Sequence, residues 1–517
     1  MKRNPLFLTF LLSAFAATGL QAGLKLPAII GDHMVLQRDL ANPIWGWADP
    51  GADVTVAIAG QTHQAKAGED GKWKVALTPL PVSREALSMT ISSKDETLTL
   101  SDILVGEVWI CSGQSNMQWS VKQSDDPDLE IATANYPNIR LITVPLVGTQ
   151  EKQDDFKGQW DPCTPETVGD FSGVGYFFGR QLHQTLDVPI GLIDNAWGGS
   201  AAEAWVSRET MEADTRFASV MENWKKIEAT YDHEKAMADW KVKAEEAKAA
   251  GKPAPRQPSN LLTGNARPGN IWAGMLHPTI GYGIRGAIWY QGESNAGRAY
   301  QYDDLFGLMI SEWRKAWSIG DFPFYWVQLA DFKAEKPEPG ESDWAELREA
   351  QTNTLALPNT GQAVIYDLGE GRDIHPRDKQ NVAKRLARLA LARDYGQSQV
   401  EYLSPSHKSL EVNGGKAILT FENAGSGGLY AFDTEAVAGF AVAGEDKVWH
   451  WATGMVVAPD KVEVSSSAVA NPVAVRYAWA DNPVANLRGR NGLPVIPFRT
   501  DDWPQITDPA NAAKPAQ

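Results

Sequence analysis

The stretch that decides how this chain is read is Gly106-Glu107-Val108-Trp109-Ile110-Cys111-Ser112-Gly113-Gln114-Ser115-Asn116-Met117-Gln118-Trp119. The largely apolar run from Val105 to Cys111 has the length and composition of a buried strand. It breaks into small, turn-prone residues, and Ser115 comes just past its end. Open α/β sheets bind ligands at the C-terminal ends of their strands, so Ser115 falls where such a sheet does its chemistry. A serine hydroxyl is a weak nucleophile. It needs a base within hydrogen-bond reach and donors for the oxyanion that forms on attack. A turn serine is ordinary on its own, so the weight rests on what other segments bring to the same sheet end.

Three further segments carry matching chemistry. Asp194-Asn195-Ala196-Trp197-Gly198-Gly199-Ser200 follows a predicted strand at Pro189 to Ile193. Its adjacent glycines let backbone N–H groups approach a substrate oxygen closely. Ile288-Trp289-Tyr290-Gln291-Gly292-Glu293-Ser294-Asn295 runs off the end of another predicted strand. Gln291 and Asn295 bring neutral amide donors there, and Glu293 an acid. Asp373-Ile374-His375 follows the last predicted strand of the α/β region and precedes a predicted helix. In extended backbone, residues i and i+2 face the same way. Asp373 can then hold His375 in the tautomer that leaves its other nitrogen free as a base.

The assembled expectation is an acyl-transfer site in an α/β domain. Ser115 attacks an ester carbonyl, His375 moves the proton and Asp373 orients His375. The N–H groups of Ser115 and Gly199 and the side-chain amide of Gln291 form the oxyanion hole. Gln114, Asn116, Trp197, Glu293 and Asn295 are expected to support the site or touch substrate. The α/β-hydrolase elbow GxSxG needs a second glycine where this chain has Met117, which argues against that family.

These blocks resemble the SGNH (GDSL-like) hydrolase superfamily, and within it the sialate O-acetylesterase-like carbohydrate esterases. GQSNM at 113–117 resembles the nucleophile block, NAWGGS at 195–200 the glycine block, WYQGESN at 289–295 the third and DIHP at 373–376 the last. In this branch Gln291 stands where the superfamily has an asparagine donor. The spacing is DxH rather than DxxH, so Glu293, Asp367 and Asp378 are the alternatives to Asp373. The likeness continues through DHMVLQR at 32–38, PIWGWA at 43–48, YAWADNP at 477–483 and the stretch 492–500. The resemblance implies a three-layer α/β/α domain with a parallel sheet, flanked by N- and C-terminal β domains. It also implies removal of O-acetyl groups from sugars with no metal and no other cofactor. It leaves the sugar open, between acetylated sialic acids and acetylated plant polysaccharide fragments such as xyloglucan or xylan oligosaccharides.

The rest of the chain sets the frame. Residues 1–22 read as a secretory signal, with Lys2 and Arg3 before an apolar run that ends on the small Ala22, so a periplasmic or extracellular protein is expected. Residues 23–102 hold short strand-like runs between turn signals and suggest a β-sandwich-like domain. From 103 to 395 strands alternate with helices. Within that span, 208–260 is charged and helix-prone, and reads either as a lid or as a solvated hairpin. Residues 396–503 return to β character, and 504–517 are expected to fray.

A net charge of -16 with no Lys/Arg stripe argues against a nucleic-acid partner. No segment after residue 22 is long enough to span a membrane. The 20 tryptophans suit either large apolar cores or stacking on sugar rings. Cys111 and Cys163 can pair as a disulfide in an exported chain, or Cys111 can simply be a buried strand residue. No HExxH and no zinc-type cysteine spacing occur, so no metal centre is expected. Two other functions compete. A lipase- or thioesterase-like SGNH hydrolase would want a long apolar trough, and a non-catalytic glycan-binding protein would be expected to lack Ser115 or His375.

Overall fold

In the computed structural model, residues 23–512 are described, so the predicted secretory signal lies outside the described residues. The nucleophile block ends a single long strand, β1 (Glu96–Gly113). Its second half is the middle of a sheet whose other strands are β2 (Tyr136–Thr143), β3 (Ile190–Ala196), β4 (Gly286–Tyr290), β5 (Phe324–Val327) and β6 (Thr360–Ala363). Across the sheet the order is β6-β5-β4-β1-β3-β2, all parallel, with Asp161–Cys163 added antiparallel at one edge.

The helices that position the site are α1 (Ser115–Gln118), α2 (Gly173–Leu186), α3 (Ala218–Thr230), α4 (His233–Ala249), α5 (Tyr302–Trp317), α6 (Asp343–Asn353) and α7 (Lys379–Arg393). Strand side chains alternate between two cores, as period-two geometry dictates. Val108 and Ile110 of β1, with Trp289 of β4 and Trp326 of β5, pack with Phe306 and Trp313 of α5 and Leu347 of α6. Trp109, Cys111, Tyr290 and Tyr325 point the other way, against Phe178 and Leu182 of α2 and Leu386 of α7. Helices thus cover both faces, and the sheet strands are near-continuously apolar because neither face meets water.

The structure differs from the sequence reading in three places. The domain boundary expected at 102/103 falls inside β1, whose first half pairs antiparallel with Ser83–Ser93 and, at Leu104–Gly106, parallel with Val35–Gln37. The composition shift marks only a bend, at Asp102, where φ is +54° and the carboxylate holds Arg140 and His33. Of the tail expected to fray over 504–517, the described part up to residue 512 docks at Ile506 and Thr507, and the remainder lies outside the described residues. Glu346 of α6 accepts the N–H groups of Ile506 and Thr507 and the Thr507 hydroxyl, and Tyr300 N–H donates to Thr507 Oγ1. The disulfide option fails, since Cys111 and Cys163 are both free thiols in the core. Cys111 faces α2 so closely that a Cβ on Gly175 would lie 2.9 Å from its sulfur. Burial holds that thiol well above its usual pKa.

Residues 208–260 form Arg208–Ala213, α3 and α4 before an irregular return. Met221 and Trp224 bury one stripe of α3, and no residue of α4 is buried. Arg208 and Arg267 both hold the Glu228 carboxylate, at 2.7 and 2.9 Å, and so fasten α3 to the body. The C-terminal region forms a seven-stranded sheet running from Ser406–Asn413 to Phe498–Arg499, antiparallel throughout. Its core includes Val364 and Tyr366, which follow β6.

Candidate active site

Ser115 is the first residue of α1, two residues past the end of β1. Gly113, at the strand end, has a φ of +138°, and a Cβ there would meet the Tyr290 carbonyl oxygen at 2.2 Å. Only glycine lets the β1 and β4 ends run this close. The Ser115 hydroxyl lies 2.9 Å from His375 Nε2. These residues are 260 positions apart, and the sheet end brings them together. Trp119 stacks flat on the imidazole, with centroids 4.4 Å apart and planes at 11°. Burial lowers the His375 pKa below the ordinary value, Asp373 opposes that, and the Lys379 charge adds to it.

Asp373 reaches His375 by a turn rather than by extended backbone. Its Oδ1 accepts the His375 backbone N–H at 2.9 Å and sits 3.6 Å from ring Nδ1. The ring contact is longer than a hydrogen bond, and the carboxylate is 54% exposed. The alternatives are committed elsewhere. Asp367 pairs with Arg385 and Arg488. Asp378 caps α7 through the Asn381 N–H. Glu293 is half-buried and accepts from Asn116. Of these four acids, Asp373 is the one the structure brings to the His375 ring.

Asn116 joins three of the four blocks. Its amide donates to Glu293 Oε1 at 2.7 Å and to the Ile374 carbonyl at 3.0 Å, and its Oδ1 accepts from Lys379 Nζ at 2.7 Å. The residue before His375 is therefore tied to the residue after Ser115. Lys379 is fully buried, which pushes its ammonium down to about 7, and burial pushes Glu293 up. Sequence reading gave no role to Lys379, because a lysine at a helix start reads as solvated. Trp119 was equally missed, although an aromatic four residues after the serine lies one helical turn away and on the same face.

The glycine block lies against the nucleophile. A Cβ on Gly198 would come 3.3 Å from Ser115 Cβ, and Gly198 N–H donates to Gln118 Oε1 at 2.8 Å. Gly199 has a φ of +71° and is exposed, and its N–H makes no hydrogen bond among the described residues. Ser115, as first residue of its helix, has an N–H with no intrahelical partner. Trp197 is half-buried, with its N–H on the Gly113 carbonyl.

Gln291 is arranged differently from the sequence expectation. Its amide donates to the Ser200 carbonyl at 3.1 Å and to Asn295 Oδ1 at 2.7 Å, and its Oε1 accepts the Tyr302 hydroxyl. Both amide hydrogens are used and the side chain is fully buried, so in this arrangement Gln291 braces the glycine block rather than facing an oxyanion. Asn295 completes that brace by donating to Glu203 and accepting from the Ala202 N–H. Gln114 accepts from the Gly292 and Ser294 N–H groups, and its own amide nitrogen makes no hydrogen bond among the described residues.

By its similarity to known proteins the chain falls in the class of carbohydrate esterases, which are ester hydrolases. The family model described as "Carbohydrate esterase, sialic acid-specific acetylesterase" matches residues 105–238 and 275–392, which include all four blocks. The sialate O-acetylesterase of Mus musculus is 32% identical over 80% of this chain and 82% of its own length. The Homo sapiens sialate O-acetylesterase is 30% identical over 89% and 88%. A carbohydrate acetylesterase from Xanthomonas citri superposes with a TM-score of 0.79 at 38% identity, over 93% of this chain and all of that one. The chain belongs to this sialic acid-specific acetylesterase family of carbohydrate esterases, and it is an ester hydrolase.

Proposed function

We propose that the protein removes O-acetyl groups from carbohydrates by a Ser-His-Asp acyl-enzyme mechanism. The observation that carries this is the 2.9 Å contact of Ser115 Oγ with His375 Nε2 at the sheet end. Ser115 Oγ attacks the acetyl carbonyl while His375 Nε2 takes its proton. The oxyanion is held by the N–H groups of Ser115 and Gly199. The proton passes from His375 to the departing sugar oxygen as the C–O bond breaks, leaving acetyl-Ser115. Water, deprotonated by the same nitrogen, attacks the acetyl carbonyl, and acetate leaves as Ser115 recovers its proton. Asp373 supports the imidazolium that forms twice in this cycle. The parallel sheet with helices on both faces supports reading the domain as a three-layer SGNH fold. Export is proposed from residues 1–22 alone.

Two measurements test this reading. Acetate esters should be cleaved faster than matched butyrate esters and much faster than octanoate esters, and a preference for octanoate would sink the sugar-esterase reading. The pH profile tests the base. His375 must be neutral to accept a proton, and its pKa is lowered, so the neutral form persists into mild acid. On a small acetate ester, kcat/KM is expected to stay level through neutral pH. It should fall on acidification with a midpoint below about 6.5, the ordinary histidine value. A midpoint above that value contradicts the burial argument.

A further inference from the structure

Beside Gly199 lies a cavity of about 610 Å³. Its floor is the strand-end region, with Gly199, Ser294 and Gln301. Its wall is α3 of the insertion. Val220, Asn223 and Ile227 recur at i, i+3 and i+7, so one stripe of α3 faces the space. Trp224 lines it too and, at 8% exposure, is mostly core, which fixes the stripe in place.

We propose that this cavity is the subsite for the sugar ring that bears the acetyl group, that α3 supplies its specificity wall, and that it takes an uncharged ring. The proposal rests on the reading of Ser115 as nucleophile, since Gly199 is then shared between the oxyanion hole and the cavity. Three observations carry it. First, the size and position suit a monosaccharide next to the scissile ester; binding pockets of roughly 300–1,000 Å³ are usual for small ligands. Second, Gln301 lines the cavity at 5% exposure; its Oε1 is sealed from solvent, and its amide nitrogen makes no hydrogen bond among the described residues and is the atom a ligand can reach. An unpaired donor at a cavity wall is matched by an acceptor on the ligand, and a sugar oxygen accepts. Third, the charges lining the space cancel. Arg298 donates to Glu203 at 2.5 Å, and the second oxygen of Glu203 is taken by Asn295. No unneutralised cation lines the cavity to select a carboxylate, whereas the unspent Arg298 N–H groups, the Asn223 amide and the Ser219 and Ser294 hydroxyls suit hydroxyl groups.

The insertion is thus more than a solvated hairpin: α3 faces the chemistry, and α4 faces water. The Tyr300 backbone at the cavity rim is itself held by Thr507, so the docked tail braces the same subsite.

The test is a ratio: kcat/KM on acetylated xylo-oligosaccharides divided by kcat/KM on nitrophenyl acetate, for the full chain. Asn223→Ala removes an exposed side chain and should fold normally. Gln301→Leu removes that amide donor. Each should lower the ratio about tenfold, the loss of one hydrogen bond made to the sugar. Lys225→Ala, on the outer side of α3, should leave it at the wild-type value. An unchanged ratio in both cavity variants overturns the subsite. A wild-type preference for O-acetylated sialic acid over the neutral oligosaccharide overturns the uncharged-ring assignment. A wild-type enzyme inert on both esters would strike the esterase reading instead.

Discussion

Ser115→Ala is expected to lower kcat by about 10⁵-fold, close to 7 kcal/mol of transition-state stabilisation. The variant keeps the glycine block, the Ser115 backbone N–H and the Trp119-covered imidazole, so the residual rate reports what the oxyanion donors achieve without a nucleophile. Stability should hardly move. The hydroxyl's one hydrogen bond among the described residues is to His375, and a lost partner at a half-open site costs well under a typical core substitution. Matched thermal melts with collapsed turnover are the expected pair of results. Retention of a tenth of wild-type turnover would remove Ser115 from the nucleophile role.

His375→Ala should be almost as damaging, and the double variant with Ser115→Ala little worse than either alone. The two residues perform one step, so their losses do not add. Asp373→Asn should behave differently. The carboxylate is half exposed and sits 3.6 Å from Nδ1, so water screens much of its effect. An asparagine oxygen can still accept the His375 backbone N–H and keep the turn. A loss of at most about tenfold is expected for Asp373→Asn, against several orders of magnitude for His375→Ala. Steady-state kinetics on a single acetate ester separates these cases. A crippled Asp373→Asn with a mildly affected His375→Ala would invert the assignment of base and orienter.

Much of this architecture was legible in the sequence for an identifiable reason. Each catalytic block is a polar or glycine-rich turn at the end of an apolar run, and parallel strands deliver such turns to one edge. Ser115 and His375 could be paired from opposite ends of a long stretch of chain on chemical need alone. What resisted reading was partnership. Nothing local tells a free amide from a committed one, and Gln291 spends its hydrogens on Ser200 and Asn295. Lys379 looks solvated until the structure shows it fully buried and donating to Asn116. Proline, alanine and asparagine near the C-terminus suggest a loose tail, yet one carboxylate, Glu346, gathers three donors and pins it. The composition change near residue 102 marks a bend in β1 and not its end.

That bend without a break bears on how such a chain can diversify. The nucleophile's strand is gripped in its first half by Ser83–Ser93 and in its second by β3 and β4. Cutting the gene at the bend would strip one flank from the strand and bare an edge that invites pairing with other chains. The N-terminal β region and the chemical machinery are therefore inherited together, and recombination between them is closed. Residues 208–260 lie between two strands; Met211, Phe217 and Met221 tie their first part to the core, and only the exposed α4 is free to be exchanged. Variation in this lineage is thus expected to gather in the exposed part of 208–260, while the strand that carries Ser115 stays fixed.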